Sequence, residues 1–308
     1  MKKVKIEVCP ICSSIDIFSR DRFFVCGGCG HETAGIKSTS ELDDYYNKDD
    51  VGLKVQNILE ASQDSPFRGY HKRAYEVIKG KNKVKNICDI GCGVGTMLTY
   101  LQQKRYQVYG YDINETQTQI ARKKYGLSNV GYAETLDEYC HKKRIKREFF
   151  DAITAFEVIE HIPDVNAFID ESSKYLRKGG YIIFSTPNSK RLPLKESWDY
   201  PPIHLSRFNK KNISVLLKKH GFELVSWESY SELGYYSNNF IHKLPASKRM
   251  LSELVNSDAK MSSVERTLKF VTTTKKIVCL LLDIPVYFAL LPFKERGHTM
   301  FFVGKKVI

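Results

Sequence analysis

The chain has 308 residues, 42% of them apolar and 27% charged, with a formal net charge of +13. That length holds one large domain or two, and that balance sets aside a disordered or low-complexity chain in favour of a globular one with a sizeable core. The opening MKKVKIEVCP lacks an apolar core segment, so no secretory signal is expected. Eight cysteines in such a chain read as metal ligands and buried thiols rather than a disulfide framework, and the expected compartment is the cytoplasm. The charge is uneven. Residues 243–308 carry 12 Lys/Arg against 5 Asp/Glu, which suits an anionic partner, either nucleic acid or a membrane surface, or else a solvated basic face.

Residues 1–36 read as a unit of their own. Cys9-Pro-Ile-Cys12 and Cys26-Gly-Gly-Cys29 are two C-x-x-C pairs with 13 residues between them. Two such knuckles supply four thiolates to one tetrahedral zinc, with glycines allowing the tight turns. The alternation over 15–25 predicts a small hairpin between the knuckles. Four cysteines close the coordination sphere, so the metal is expected to be structural, and His31 is a bystander. A segment this short has no adequate core, so the metal would supply its stability. Residues 38–46 carry a helix-start signal, and 70–79 predict an amphipathic helix through Tyr70, Ala74, Val77 and Ile78. His71 and Arg73 on it either face the site or, the preferred reading, lie on the surface.

The most informative stretch is 86–112. Ile87, Cys88 and Ile90 predict a strand, Gly91-Cys92-Gly93-Val94-Gly95 a glycine turn, and Met97, Leu98 and Leu101 one face of a helix. A second strand over 108–111 ends at Asp112, 21 residues after Gly91. Glycines at such a turn let a ligand approach the backbone, and an acid at the tip of the second strand can hold ribose hydroxyls. A dinucleotide fingerprint needs a glycine at position 96, which is Thr96 here. The pattern G-x-G-x-G suits a nucleoside without a pyrophosphate.

These residues resemble the class I S-adenosylmethionine (SAM) dependent methyltransferases, whose first motif reads much like Asp89 to Gly95. The resemblance implies an α/β, doubly wound, Rossmann-like sheet. It also implies SAM as methyl donor, held by Asp89, Gly91, Gly93, Gly95, Asp112 and its neighbour Ile113. A helix ahead of the first strand often closes over the cofactor in that family, a role that 70–79 fills by analogy.

Beyond Asp112 the prediction alternates: helix 114–125, strand 129–133, helix 135–146, strand 149–156, helix 166–177 ending at Gly179-Gly180, and strand 181–185. Such alternation means a parallel sheet with helices on both faces and ligands at the carboxyl ends of the strands. Glu134 stands where the family contacts the adenine side, or is a plain surface glutamate. Phe156 and Glu157 fall near the methionine end. Glu157-Val-Ile-Glu160-His161 resembles the E-x-x-E-H motif of ubiquinone-biosynthetic O-methyltransferases, which implies a divalent cation at Glu157, Glu160 and His161, or His161 as a base facing the acceptor. His204-Leu-Ser-Arg-Phe208 resembles an H-L-x-x-F element of the family. His204 then either points into the acceptor pocket or helps to cap the next helix, which Asn209 opens. A sixth strand is expected over 222–230.

The last strand is expected at 298–304, antiparallel beside the sixth, so that 37–308 form the methyltransferase domain with 231–297 as a helical insertion. The apolar run 277–293 inside it is short for a span and contains Asp283 and Pro285. It reads as a helix lying on a membrane face, which would make the protein peripheral, or as a buried lid or dimer contact. No motif specifies an oligomeric state.

The function implied is methylation of a small-molecule acceptor, at a hydroxyl of an apolar, lipid-linked or glycan metabolite, with His161 or His204 as catalytic residue. Nucleic-acid methylation fits the ribbon and the basic surface, but the aromatic-proline tetrad of base N-methyltransferases is absent. A non-catalytic scaffold is opposed by the complete glycine turn with Asp112.

Overall fold

Residues 6–35, 67–81, 83–191, 199–201, 203–231 and 295–308 are described by the computed structural model. The N-terminal segment forms β1 (Ile17–Arg20), β2 (Phe23–Cys26) and β3 (Glu32–Thr33), the hairpin expected between the two cysteine pairs. After them come α1 (Gly69–Lys79), β4 (Asn86–Ile90), α2 (Thr96–Gln103), β5 (Gln107–Asp112), α3 (Glu115–Tyr125), β6 (Val130–Tyr132), α4 (Leu136–Lys143) and β7 (Phe150–Phe156). A 3-10 turn at Ile159–His161 leads to α5 (Val165–Tyr175), β8 (Leu176–Pro187), β9 (Ser206–Arg207), α6 (Lys210–Lys219), β10 (Phe222–Tyr230) and β11 (Thr299–Lys306).

Local chemistry sets the boundaries. Asn114, Thr135, Asp164 and Asn209 each accept a backbone N–H of the following turn, so four helices begin on a side-chain cap. Gly126 ends α3 at φ +66°, a left-handed C-cap. One boundary departs from expectation. The predicted helix 166–177 stops at Tyr175, and Gly179-Gly180 lie inside β8 instead of closing the helix. A Cβ at Gly180 would come within 3.0 Å of Asp151 O, because the chain there crosses close to β7 where the register shifts.

Two sheets result. The larger has the order β10-β11-β8-β7-β4-β5-β6, parallel from β8 through β6, with β11 antiparallel to β8. All but the last residue of β7 are buried, as expected of a central parallel strand covered on both faces. Strand order reverses between β4 and β7, so the carboxyl ends of β4, β5 and β7 open on the crevice where such sheets bind ligands. The smaller sheet, β1-β2-β3-β9, takes its fourth strand from the segment after β8.

Contacts divide the chain into two units, Met1–Glu228 with Thr299–Ile308, and Ser229–His298. The helix expected at 38–46 and the apolar run 277–293 lie outside the described residues, as does most of 231–297. Among the described residues, no helix is long and apolar enough to cross a membrane.

Candidate active site

The glycine turn and Asp112 meet as the motif spacing requires. Asp112 Oδ2 accepts the Gly93 N–H and Oδ1 the Asn114 N–H, both at 2.8 Å. Gly91 N–H and Cys92 N–H both donate to Tyr111 O, which clamps the turn onto β5. A carboxylate offers about four acceptor sites, so Asp112 can still accept from a ligand hydroxyl. Burial raises the Asp112 carboxyl, while the backbone N–H groups of Asn114, Gly93 and Ile113 pull it back.

Asp89 lies beneath the turn and is buried. Thr154 on β7 donates to its Oδ1 at 2.6 Å. Desolvation, offset by Thr154 and reinforced by Asp112, pushes the Asp89 carboxyl up to about 7. Between the ordinary aspartate range and that value, the unfolded chain releases a proton that the folded chain keeps. This contribution to stability is therefore fully present below the ordinary range, is lost as pH rises towards 7, and is level above. A tenfold change in acidity is worth about 1.4 kcal/mol, so the loss is on the order of a few kcal/mol. Asp89→Asn is expected to flatten thermal unfolding midpoints between pH 4 and 8 and to gain most on the wild type at the alkaline end. An unchanged pH profile would show that Asp89 is already ionised at low pH.

At the neighbouring strand ends, Ile113 is 67% exposed and Tyr132 half exposed, an apolar rim beside Asp112. Glu134 is exposed, and its N–H donates to Glu138 Oε2 at 2.7 Å. On the other side Phe156, at the end of β7, stacks on Tyr70 with centroids 5.0 Å apart and meets His71 edge-on at 5.2 Å. The surface reading of His71 is corrected here. It is buried, and its Nδ1 accepts the Arg68 N–H at 3.1 Å. Burial pushes the imidazole down to about 3, so it is neutral. Its spacing from Ala74 and Ile78, the other buried residues of α1, is that of one helix face, and this periodicity was the missed signal. Arg73 is half-buried and pairs with Glu228 at 2.5 Å.

Glu157 follows with φ +55°, a left-handed conformation uncommon outside glycine. Ser185 Oγ donates to its Oε1 at 2.7 Å. Burial first, then the Glu160 charge, pushes the Glu157 carboxyl up to about 8. Glu160 is buried too: Thr186 Oγ1 donates to Oε2 at 3.0 Å, while Oε1 has no hydrogen-bond partner.

His161 donates from Nδ1 to Ile203 O at 2.7 Å, so Nε2 carries the lone pair. That nitrogen is 3.9 Å from Glu160 Oε1. Burial lowers the His161 imidazole, which keeps the lone pair available. The His204 ring is 4.9 Å from that of His161, and its Nδ1 is 3.7 Å from Asp199, itself paired with Arg191. Asn209, rather than His204, caps α6. His204 instead lines a small cavity of about 20 Å³ with Glu160, Asn188, Arg191 and Asp199.

Potential ligand atoms of Glu160, His161 and His204 lie within 4.8 Å of one another. Ligands around one ion stand about 3–4 Å apart, so this trio would tighten slightly on a cation. The set differs from the one expected by motif. Glu157, turned towards Ser185 by its left-handed backbone, is replaced by His204. Asp199, Arg191 and Ser185 lie outside every motif, and only the tertiary structure brings them here.

In the N-terminal unit Cys9, Cys12, Cys26 and Cys29 converge, with Sγ separations of 3.7 Å (Cys9 to Cys29) and 3.5 Å (Cys12 to Cys26). Tetrahedral zinc with Zn–S near 2.3 Å sets its sulfurs about 3.8 Å apart. The Cys29 N–H also donates to Cys26 Sγ at 3.4 Å. The donor set fits zinc.

This sheet order, with the glycine turn after the central strand and the acid closing the next, defines a class I methyltransferase fold. The chain belongs to the methyltransferase domain family, whose model matches residues 64–227. Among curated relatives, a ubiquinone biosynthesis O-methyltransferase of Shewanella sp. (strain ANA-3) is 31% identical over 107 residues, 34% of this chain and 44% of that one. The enzyme of the same name from Leptothrix cholodnii is 28% identical over 134 residues, 41% and 56% of the two chains. The match spans about half the length of these relatives. Among solved structures, a SAM dependent methyltransferase from Archaeoglobus fulgidus superposes with TM-score 0.53 at 16% identity, covering 81% of this chain and 98% of that one. Haemonchus contortus phosphoethanolamine N-methyltransferase 2 gives 0.54 at 14%, covering 88% and 61%. These likenesses establish the fold.

Proposed function

We propose that this chain transfers a methyl group from SAM to a hydroxyl of a small-molecule acceptor, an apolar, lipid-linked or glycan metabolite. The observation that carries this reading is the Asp112 carboxylate locked against the Gly93 N–H at the mouth of the sheet. Its free lone pairs would accept the ribose hydroxyls, and the turn from Gly91 to Gly95 would pass close to the ligand's backbone-facing side. Asp89 would hold the turn from below. Ile113 would cover one adenine face, with Glu134 at its edge. Phe156, Tyr70 and His71 would wall off the methionine end, and a cationic ligand beside Glu157 would draw that carboxyl back to its ionised form.

SAM brings a sulfonium whose methyl is already activated, so the protein needs chiefly to align the two partners and take up the acceptor proton. His161 Nε2 is the base we assign, with His204 beside it as the group that orients the hydroxyl. A divalent cation held by Glu160, His161 and His204 would be the alternative to that base, since it would take up the His161 Nε2 lone pair and lower the hydroxyl's pKa itself. The ubiquinone-biosynthetic names of the relatives support a hydroxyl acceptor. The four cysteines would hold a structural zinc.

Calorimetry with SAM tests the reading: micromolar binding is expected from pure folded protein, and absence of binding would overturn it. Adding magnesium or manganese tests the cation separately. Glu160→Gln is expected to weaken metal binding at least about tenfold, as loss of a charged ligand should, and to leave SAM affinity unchanged. Equal metal affinity in that variant would remove the cation from the proposal.

A further inference from the structure

The cysteine-rich unit and the loop bearing His204 share a sheet. β3 pairs with β9, Glu32 opposite Arg207 and Thr33 opposite Ser206. Ala34 N–H donates to Leu205 O, and Leu205 N–H donates to Glu160 O, each at 2.8 Å. A continuous run of backbone bonds thus leads from the ribbon, past the neighbour of His204, to the residue whose carboxylate faces both histidines. Side chains reinforce it. Arg207 and Glu32, both buried, form an ion pair, and the Arg207 guanidinium lies over Phe23 at 4.2 Å and Tyr200 at 5.2 Å.

The bonds from the catalytic unit fall on the backbone in and next to the knuckles. Asn209 Nδ2 donates to Gly30 O at 3.1 Å, just after the second knuckle, and Lys211 Nζ to Gly28 O at 2.6 Å, within it. Lys219 Nζ and Asn166 Nδ2 both donate to Pro10 O, at 2.9 and 3.0 Å, in the first. His31 packs on Phe208 with rings 5.2 Å apart. Drawing the four thiols together on a metal would fix the carbonyls that receive these bonds, because so short a segment has little core of its own. If the knuckles open, β3 leaves β9, and Arg207 is left as a buried charge without its carboxylate. That state is unfavourable enough to expel the loop as well.

Resting on the reading of His204 as an acceptor-side group, we propose that the ribbon's metal load positions His204, with the Glu32–Arg207 pair as the joint between ribbon and catalytic loop. Arg207 is then a positioning residue, and the ribbon is a working part of the acceptor side. The glycine turn takes no part in this run of hydrogen bonds, so it is expected to keep its structure when the metal is lost.

Amide hydrogen exchange on the full chain, before and after zinc is stripped by a chelator, tests the coupling. Protection across 203–208 is expected to fall by about tenfold or more, while 86–112 stay within about twofold and SAM affinity by calorimetry is retained. Unchanged protection at 203–208 would overturn the proposal, and so would equal loss at 86–112, which would make the zinc a global staple. In the zinc-loaded protein, Arg207→Met is expected to shift the ring NMR signals of His161 and His204 but not that of His141. Arg207→Lys, which keeps a cation opposite Glu32, should return them towards wild type. Undisturbed signals in Arg207→Met would eliminate the joint. Wild type that fails to bind SAM would overturn the proposed function and leave this exchange result standing.

Discussion

Asp112→Ala is expected to weaken SAM binding by roughly 100-fold or more while leaving a folded protein. A hydrogen bond to a charged group contributes about 1.5–3 kcal/mol, and a ribose diol can take two from one carboxylate. At about 1.4 kcal/mol per tenfold, two such bonds account for at least that loss. The same substitution also orphans the Gly93 and Asn114 N–H groups, each now bonded at 2.8 Å, so the turn would lose its fixed shape. Asp112→Asn keeps an acceptor for Asn114 but sets an amide N–H against that of Gly93, and should fall between wild type and alanine. Calorimetry and thermal unfolding on the same samples separate binding from folding. Affinity within about threefold of wild type in the alanine variant would remove Asp112 from the ribose-binding role.

Gly95→Ala is expected to cost about 2–5 kcal/mol of stability. Gly95 caps α2 with φ +82°, where a Cβ is opposed by the backbone at about 1–2 kcal/mol. The added methyl would also meet Leu127 Cδ1 at 2.3 Å and Ala121 Cβ at 3.4 Å, in a buried setting where overpacking costs about 1–3 kcal/mol. Gly126→Ala is the control. It has φ +66° with nothing within 4 Å of the new methyl, so only the backbone cost applies. Denaturant midpoints for the two variants therefore separate strain from collision. Equal losses would mean that the Gly95 contacts relax freely. This third glycine leaves room for Leu127 and Ala121 at the start of α2.

Some of the site was legible because it is contiguous. The strand, turn, helix and second strand of 86–112 place Gly91, Gly93 and Asp112 within one local unit, whose periodicity and spacing largely dictate its shape. The two cysteine pairs are legible for a similar reason, since each knuckle is a short turn with its own ligands. The burial of His71 is legible in its spacing from Ala74 and Ile78, but polarity, which favours a surface reading, competes with that period.

The amino-acid sequence alone determined the alternating α/β order, the glycine turn with its acid, and four cysteines spaced for one tetrahedral metal. All three rest on periods of two and 3.6 residues and on short loops, which local sterics and hydrogen bonding settle within about 30 residues. Tertiary structure alone decided that Glu160 faces His204 instead of sharing ligands with Glu157, and that Gly179-Gly180 belong to a strand. It alone joined Glu32 of the ribbon to Arg207. These depend on pairings between segments up to 175 positions apart, where partner choice follows from which buried charges and strand edges remain unsatisfied after the sheet has formed, and no local pattern encodes that remainder.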